Sequence, residues 1–179
     1  MAEVRIEPWG SRDFPLLEQL LGDSTITEHV GGPESHEQLV DRQRRYEELT
    51  DRAKGGTFVI IADATGDRVG WVGYWEKTWR DDEVYESGWF VLPAYQGRGI
   101  ASAATQLVID LACKQRRHRF FHAFPSEDNA ASNTICRTLG FELIETTDFE
   151  YPPGNWLRCN YWCLDLYPTD RTREFMPST

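Results

Sequence analysis

The sequence predicts a mixed α/β domain of the α+β class, with about seven strands in a mostly antiparallel sheet and about four helices. Three observations carry that prediction. Four apolar segments between Val4 and Leu92 are joined by hairpin-like turns, apart from the first pair, which two amphipathic helices separate. A strand then passes into a long helix through a proline and two glycines, over Val91-Leu92-Pro93-Ala94-Tyr95-Gln96-Gly97-Arg98-Gly99-Ile100-Ala101. Further strand and helix patterns continue to Leu166 without a linker or an internal repeat, so residues 1–179 read as one domain able to bury a core.

In order, Val4-Arg5-Ile6 alternates as a first strand, and Phe14, Leu17, Leu20 and Leu21 recur at helical spacing. Gly31, Gly32 and Pro33 make the stretch from Thr27 irregular, and a second helix runs from about Ser35 to Thr50. Thr57–Ala62 is an apolar strand closed by a turn at Gly66-Asp67. The third strand, Val69–Thr78, begins a line of Trp71, Trp75 and Trp79 on one face, because side chains alternate with period two. Val84–Leu92 is the fourth strand. A helix from about Gly99 to Gln115 then carries Ile100, Ala104, Leu107, Val108 and Leu111 on one side. Phe120–Phe124 forms a fifth strand, and Ser126 or Asp128 caps a helix that Gly140 terminates. Strands around Phe141–Ile144 and Leu157–Leu166 complete the pattern.

Composition narrows the function. Hydrophobic residues make up 40% and aromatics 13%, which fits a packed domain rather than a disordered one. The formal net charge of −10 disfavours nucleic acid and anionic membranes as partners, since both reward basic surfaces. Acidic residues within the first seven positions argue against a signal peptide, and no apolar run approaches the roughly 18 residues of a membrane helix. A cytoplasmic protein is expected. Cys113, Cys136, Cys159 and Cys163 lack the paired spacing of zinc sites, so reduced, half-buried thiols and no metal are expected.

The turn at Gly97 and Gly99 has the chemistry of an anion site. A helix start exposes N–H groups without intrahelical partners and carries the positive end of the peptide dipoles. Glycines allow positive φ and close approach of the main chain, and Arg98 adds a charge that suits phosphate. The same glycines also suit any tight strand-to-helix turn. A Rossmann fingerprint would need a third glycine at Ser102, and a P-loop would need Gly-Lys-Ser/Thr, so neither motif is present. The basic residues Lys114, Arg116, Arg117 and Arg119 either assist the anion or complement the dipole at the helix C-terminus.

The run Gln96-x-x-Gly99-x-Ala101, preceded by Val91-x-Pro93 and Tyr95, resembles the acyl-CoA pyrophosphate loop of the Gcn5-related N-acetyltransferases, the GNAT superfamily. Asn129-x-x-Ser132 followed by Leu139-Gly140-Phe141 resembles that superfamily's second signature, in the expected order and separation. Spacing in the N-terminal half is loosely nearest the branch of ribosomal-protein N-terminal alanine acetylases and antibiotic-modifying enzymes. The resemblance implies a sheet splayed between strands four and five, helices on both faces, and acetyl-CoA as co-substrate in the opening.

The same resemblance assigns roles. Phe90, Val91 and Leu92 would pair with the pantetheine arm as an added strand. Gln96, Gly97, Arg98, Gly99, Ile100, Ala101 and Ser102 would hold the pyrophosphate, with Asn129 and Ser132 contacting the cofactor. Asn129 is equally suited to cap a helix. A main-chain N–H near Trp89 to Val91 would polarise the thioester carbonyl. Glu86, on the fourth strand, is the leading base for an amine that is neutral in only about one molecule in 10³ at pH 7. Relatives often use a tyrosine as acid where this chain has Cys136, which leaves Cys136, Tyr161 or Tyr151 as proton donor to the departing sulfur.

Glu28, His29, Tyr151 and Trp156 are nominated for the acceptor pocket, where aromatic faces beside carboxylates suit an ammonium ion. The expected activity is N-acetylation of a primary amine, on a small cationic molecule or a peptide N-terminus, by direct attack with general-base help. Two alternatives stand beside it: a silent CoA-binding sensor of the same fold, and an acyltransferase using another acyl group or a hydroxyl acceptor. Exposed Trp on an edge strand would point to a homodimer.

Overall fold

The computed structural model describes residues 3–151 and 153–168. Seven strands form one sheet in the order β1-β2-β3-β4-β5-β7-β6. They are β1 (Val4–Pro8), β2 (Gly55–Ala62), β3 (Arg68–Trp79), β4 (Asp82–Val91), β5 (Phe120–Ala123), β6 (Glu142–Glu150) and β7 (Trp156–Asp165). Four helices accompany them, α1 (Phe14–Leu21), α2 (His36–Glu48), α3 (Ile100–Gln115) and α4 (Ala130–Thr138), and among the described residues none is long and apolar enough to cross a membrane. The α+β class, the seven strands, the four helices and the mostly antiparallel pairing all agree with the sequence reading.

Local chemistry explains the helix ends. Ser35 caps α2 through a capping box, its Oγ accepting from Gln38 N–H (3.3 Å) while Gln38 Oε1 accepts from Ser35 N–H (2.8 Å). The cap of α4 is Asn129, whose Oδ1 accepts from Ser132 N–H at 3.0 Å. This corrects the expectation of Ser126 or Asp128: Ser126 Oγ donates to Asp128 Oδ1 at 2.6 Å, so both side chains are engaged outside the helix. Strand β6 also extends further than Phe141–Ile144. Its alternation is muted because it is an edge strand whose first residues, Leu143 and Ile144 among them, are exposed.

Helices cover both faces of the sheet. Helix α3 lies on the face of Val72, Tyr74, Tyr85 and Phe121, where Ile100, Ala104 and Val108 join the larger core, and Cys136 of α4 packs into the same cluster. Helices α1 and α2 cover the opposite face, with Leu17, Leu20 and Leu39 packed over Val59, Ile61 and Trp71. Each fully buried side chain of this kind stabilises the fold by about 1.5–3 kcal/mol.

One seam in the sheet is short. Strands β3 and β4 pair continuously from Gly70↔Val91 to Trp79↔Asp82. Strands β4 and β5 run parallel and pair only at Tyr85↔Phe121 and Glu86↔His122. Beyond Glu86, β4 continues to Val91 with no strand beside it on that side among the described residues. This is the splay the resemblance implied.

Candidate active site

The unpaired edge of β4 leads into the glycine turn. After a 3₁₀ turn at Pro93–Tyr95, Gly97 and Gly99 both adopt left-handed backbone, with φ of +71° and +75°. A Cβ at either glycine would meet nothing within 4 Å, so backbone conformation and not crowding requires glycine here. The first bond of α3 runs from Ala103 N–H to Gly99 C=O (3.0 Å), and no side chain caps the helix. The N–H groups of Ile100, Ala101 and Ser102 therefore lack intrahelical acceptors and suit an anion. Gln96 Nε2 donates to Val91 C=O at 2.9 Å, tying the turn to the strand end. The exposed Arg98 lies over the Tyr95 ring at 5.5 Å, and Tyr95 donates its hydroxyl to Asp67 Oδ2 at 2.7 Å.

The basic cluster lies elsewhere. Arg116, Arg117 and Arg119 follow the C-terminal end of α3, about 24 Å from Gly99 at 1.5 Å per residue. Arg117 pairs with Glu76, and Arg119 with Asp165 at 2.7 Å. At the glycine turn itself, Arg98 and the main-chain N–H groups are the donors in place.

Glu86 is the last residue of β4 to pair with β5, so it sits at the vertex of the opening. It faces the α1/α2 side of the sheet, opposite Trp75 on β3 and beside His122 on β5. It is buried, with 8% of its surface exposed, and Lys77 Nζ lies 2.8 Å from its Oε2, close in distance but poorly aligned for a hydrogen bond. Burial raises the Glu86 pKa above the usual carboxylate value, and the Lys77 charge works against that rise.

Aromatic rings continue this face. Phe124 stacks on Phe149 (centroids 4.4 Å apart) and on Tyr161 (5.2 Å), and Trp79 meets Tyr161 edge-on at 5.5 Å. Lys77 Nζ stands over the Phe149 ring at 4.3 Å. Tyr161 is hydrogen-bonded to His122 Nε2 (3.1 Å), and burial pushes the phenol up to about 12. Burial also lowers His122 to about 4, and its Nδ1 has no hydrogen-bond partner.

The remaining nominated residues separate. Tyr151 OH accepts from Arg42 Nη2 at 2.8 Å, and Arg42 is itself paired with Glu34, so this tyrosine belongs to a network on α2. His29 Nδ1 lies 3.1 Å from Asp128 Oδ1 and ties the α1–α2 loop to the loop after β5. Glu28 is exposed on a 3₁₀ turn. Trp156 is 65% exposed at the start of β7, which pairs there with β6 while β5 joins only from Trp162 to Asp165. Cys136 is fully buried in the larger core, and burial pushes its thiol up to about 12. Cys113 and Cys163 are half-buried as expected, whereas Cys159 is buried like Cys136.

Sequence reasoning missed Lys77, His122, Arg42 and the Phe124–Phe149 stack. One signal was available: Lys77 falls between Trp75 and Trp79 on the same alternating face, and a charge on such a face needs a partner. It also missed Asn133, whose buried amide donates to Ser126 and Asn129 carbonyls and accepts from Asn160 Nδ2 and Trp162 Nε1, fixing α4 to the sheet.

Comparison with known proteins agrees with this fold. The family model of the acetyltransferase (GNAT) domain matches residues 3–142. Among solved structures, a GNAT-family acetyltransferase from Bacillus anthracis is similar with a TM-score of 0.75 at 20% identity, covering 93% of this chain and 97% of its own. An acetyltransferase from Salmonella typhimurium that modifies the N-terminal serine of a 50S ribosomal subunit protein gives 0.73 at 19% identity, covering 90% and 94%. Spermidine N-acetyltransferase from Vibrio cholerae, in complex with CoA and spermine, gives 0.73 at 14% identity, covering 91% and 95%.

Proposed function

Because the chain belongs to the GNAT acetyltransferase family, whose members use acetyl-CoA, we propose that it transfers the acetyl group to a primary amine by direct attack, with Glu86 as general base. The acceptor is a small cationic molecule or a peptide N-terminus. The observation that carries this reading is the position of Glu86, a buried carboxylate where β4 and β5 part, facing a wall of aromatic rings.

The parts divide the work. The unpaired edge of β4 up to Val91 offers main-chain groups to an extended amide chain, and one N–H there polarises the thioester carbonyl. The turn from Gln96 to Ser102 receives the diphosphate through N–H groups and the helix dipole. The Phe149 ring face, over which Lys77 Nζ stands at 4.3 Å, favours a cation beside Glu86. Glu86 takes a proton from the ammonium and so makes the nucleophile.

The departing sulfur needs little acid help, because a thiol has a pKa near 8.5. Tyr161 with His122 lies on the same face as Glu86 and is the better-placed donor, while the core position of Cys136 argues for a packing role. Asn129 and Ser132 act here through the α4 cap, which orders the loop after β5.

The test is thiol release and product mass with acetyl-CoA across polyamines, aminoglycoside-like amines, amino acids and N-terminal peptides. Saturable release with at least one cationic amine, and none with its alcohol counterpart, is expected. Tight CoA binding without turnover across the whole panel would sink the proposal in favour of a silent binding module.

A further inference from the structure

Lys77 carries the inference. It projects from β3 diagonally across the β3–β4 ladder, two positions from the residue opposite Glu86. Its Nζ meets three features that an acceptor ammonium would need: the Glu86 carboxylate at 2.8 Å, the Phe149 face at 4.3 Å and the Phe124 face at 6.0 Å. A primary alkyl amine thus already lies within general-base reach of the proposed base.

We propose that Lys77 is itself an acetylation site of this enzyme, an internal acceptor modified from acetyl-CoA when no external amine is present. The inference rests on the reading of Glu86 as base at the vertex where β4 and β5 part. The Lys77 ammonium gives one proton to the Glu86 carboxylate, and the neutral Nζ attacks the thioester carbonyl carbon. A C–N bond forms and the C–S bond breaks. A second amine proton passes to the departing thiolate, giving N-acetyl-lysine and free CoA, and Glu86 then releases its proton to solvent. Neutralising Lys77 removes the cation that competes with an incoming amine for Glu86, so the modified protein is the form that presents an open carboxylate to external acceptors.

The chain provides its own controls, because it has three lysines, Lys54, Lys77 and Lys114. Lys54 and Lys114 are exposed, whereas Lys77 is half-buried. Unassisted acetylation by the thioester follows exposure and marks the first two; transfer within the site marks Lys77. The experiment incubates the full chain with acetyl-CoA alone and maps acetyl groups by peptide mass spectrometry, for the native protein, Glu86→Gln and Lys77→Arg. The expected result is acetyl on Lys77 that builds up well ahead of Lys54 and Lys114. It should fall at least about tenfold in Glu86→Gln, with labelling of Lys54 and Lys114 unchanged as the check that the reagent is active, and native circular dichroism as the check that the variant is folded. Acetylation of only Lys54 and Lys114, or Lys77 labelling that Glu86→Gln leaves intact, would overturn the inference. If an external amine is acetylated while Lys77 is never marked, the internal acceptor fails and the proposed function stands. If neither is acetylated, both fail.

Discussion

The two faces of the sheet are both covered by helices, yet they bury different chemistry. Toward α3 and α4 the sheet is largely dry, with Thr105 Oγ1 of α3 as a buried hydroxyl without a partner. The Tyr74 and Tyr85 hydroxyls there donate to the carbonyls of Arg52 and Ala53, and Trp162 Nε1 donates to Asn133. Toward α1 and α2 the face carries Lys77, Glu86, His122 and Tyr161. It also leaves Trp71 Nε1, Trp79 Nε1 and His122 Nδ1 buried without partners. Each unsatisfied group costs about 1–3 kcal/mol. One face thus stabilises the fold, and the other holds polar groups at an energetic disadvantage, as a site does that must exchange partners with substrates.

Substitutions on the two faces should separate activity from stability. Glu86→Gln should lower kcat by about 10²–10⁴-fold while the urea midpoint falls only modestly, because losing the carboxylate relieves its own burial but leaves the partly exposed Lys77 ammonium without its partner. Equal activity in steady-state assays would remove Glu86 as base. On the dry face, Phe121→Ala should cost about 3–5 kcal/mol in urea unfolding, with kcat near normal well below the melting temperature. A comparable kcat loss there would show that the faces are not independent.

Smaller effects sharpen the contrast. Gly99→Val forces a β-branched residue to φ of +75° and should weaken CoA binding by about tenfold or more in calorimetry, with the β1–β4 core intact. His122 has a folded pKa lowered to about 4 from 6.5, so the unfolded chain binds the extra proton between those values. Stability present above pH 6.5 is then lost as pH falls toward 4, and His122→Phe should flatten that part of the curve. Glu86 has the opposite sign. Its raised pKa means stability falls as pH climbs from the unfolded carboxylate value through the folded one, a slope Glu86→Gln abolishes. Ser35→Ala, remote from both faces, should cost about 1 kcal/mol and leave kinetics unchanged.

Legibility followed the range of the interactions involved. The glycine turn could be read from residues 91–101 because left-handed backbone and a helix start are local properties, and both glycines adopt positive φ. Strands β1 and β3 were legible from period-two alternation, and β2 from its continuous apolar run. The cap of α4 was not, because Ser126, Asp128 and Asn129 are all good caps and the choice depends on bonds to each other and to Asn133. Lys77 against Glu86 was hidden for a further reason. A one-residue change in the β3–β4 register would send one of the two to the opposite face, and register is a property of two strands. Asn129 could be singled out by its resemblance to a signature, but nothing in the chain distinguished capping from ligand contact.

The two-rung seam between β4 and β5 makes the sheet a pair of blades sharing a fulcrum at Tyr85 and Glu86. A chain zipped into the gap would brace the blades against each other without altering either one. Amide hydrogen exchange should then slow most at the fulcrum and at those N–H groups of Ser87–Val91 that face the gap, while the N–H groups already bonded within the β3–β4 ladder scarcely respond.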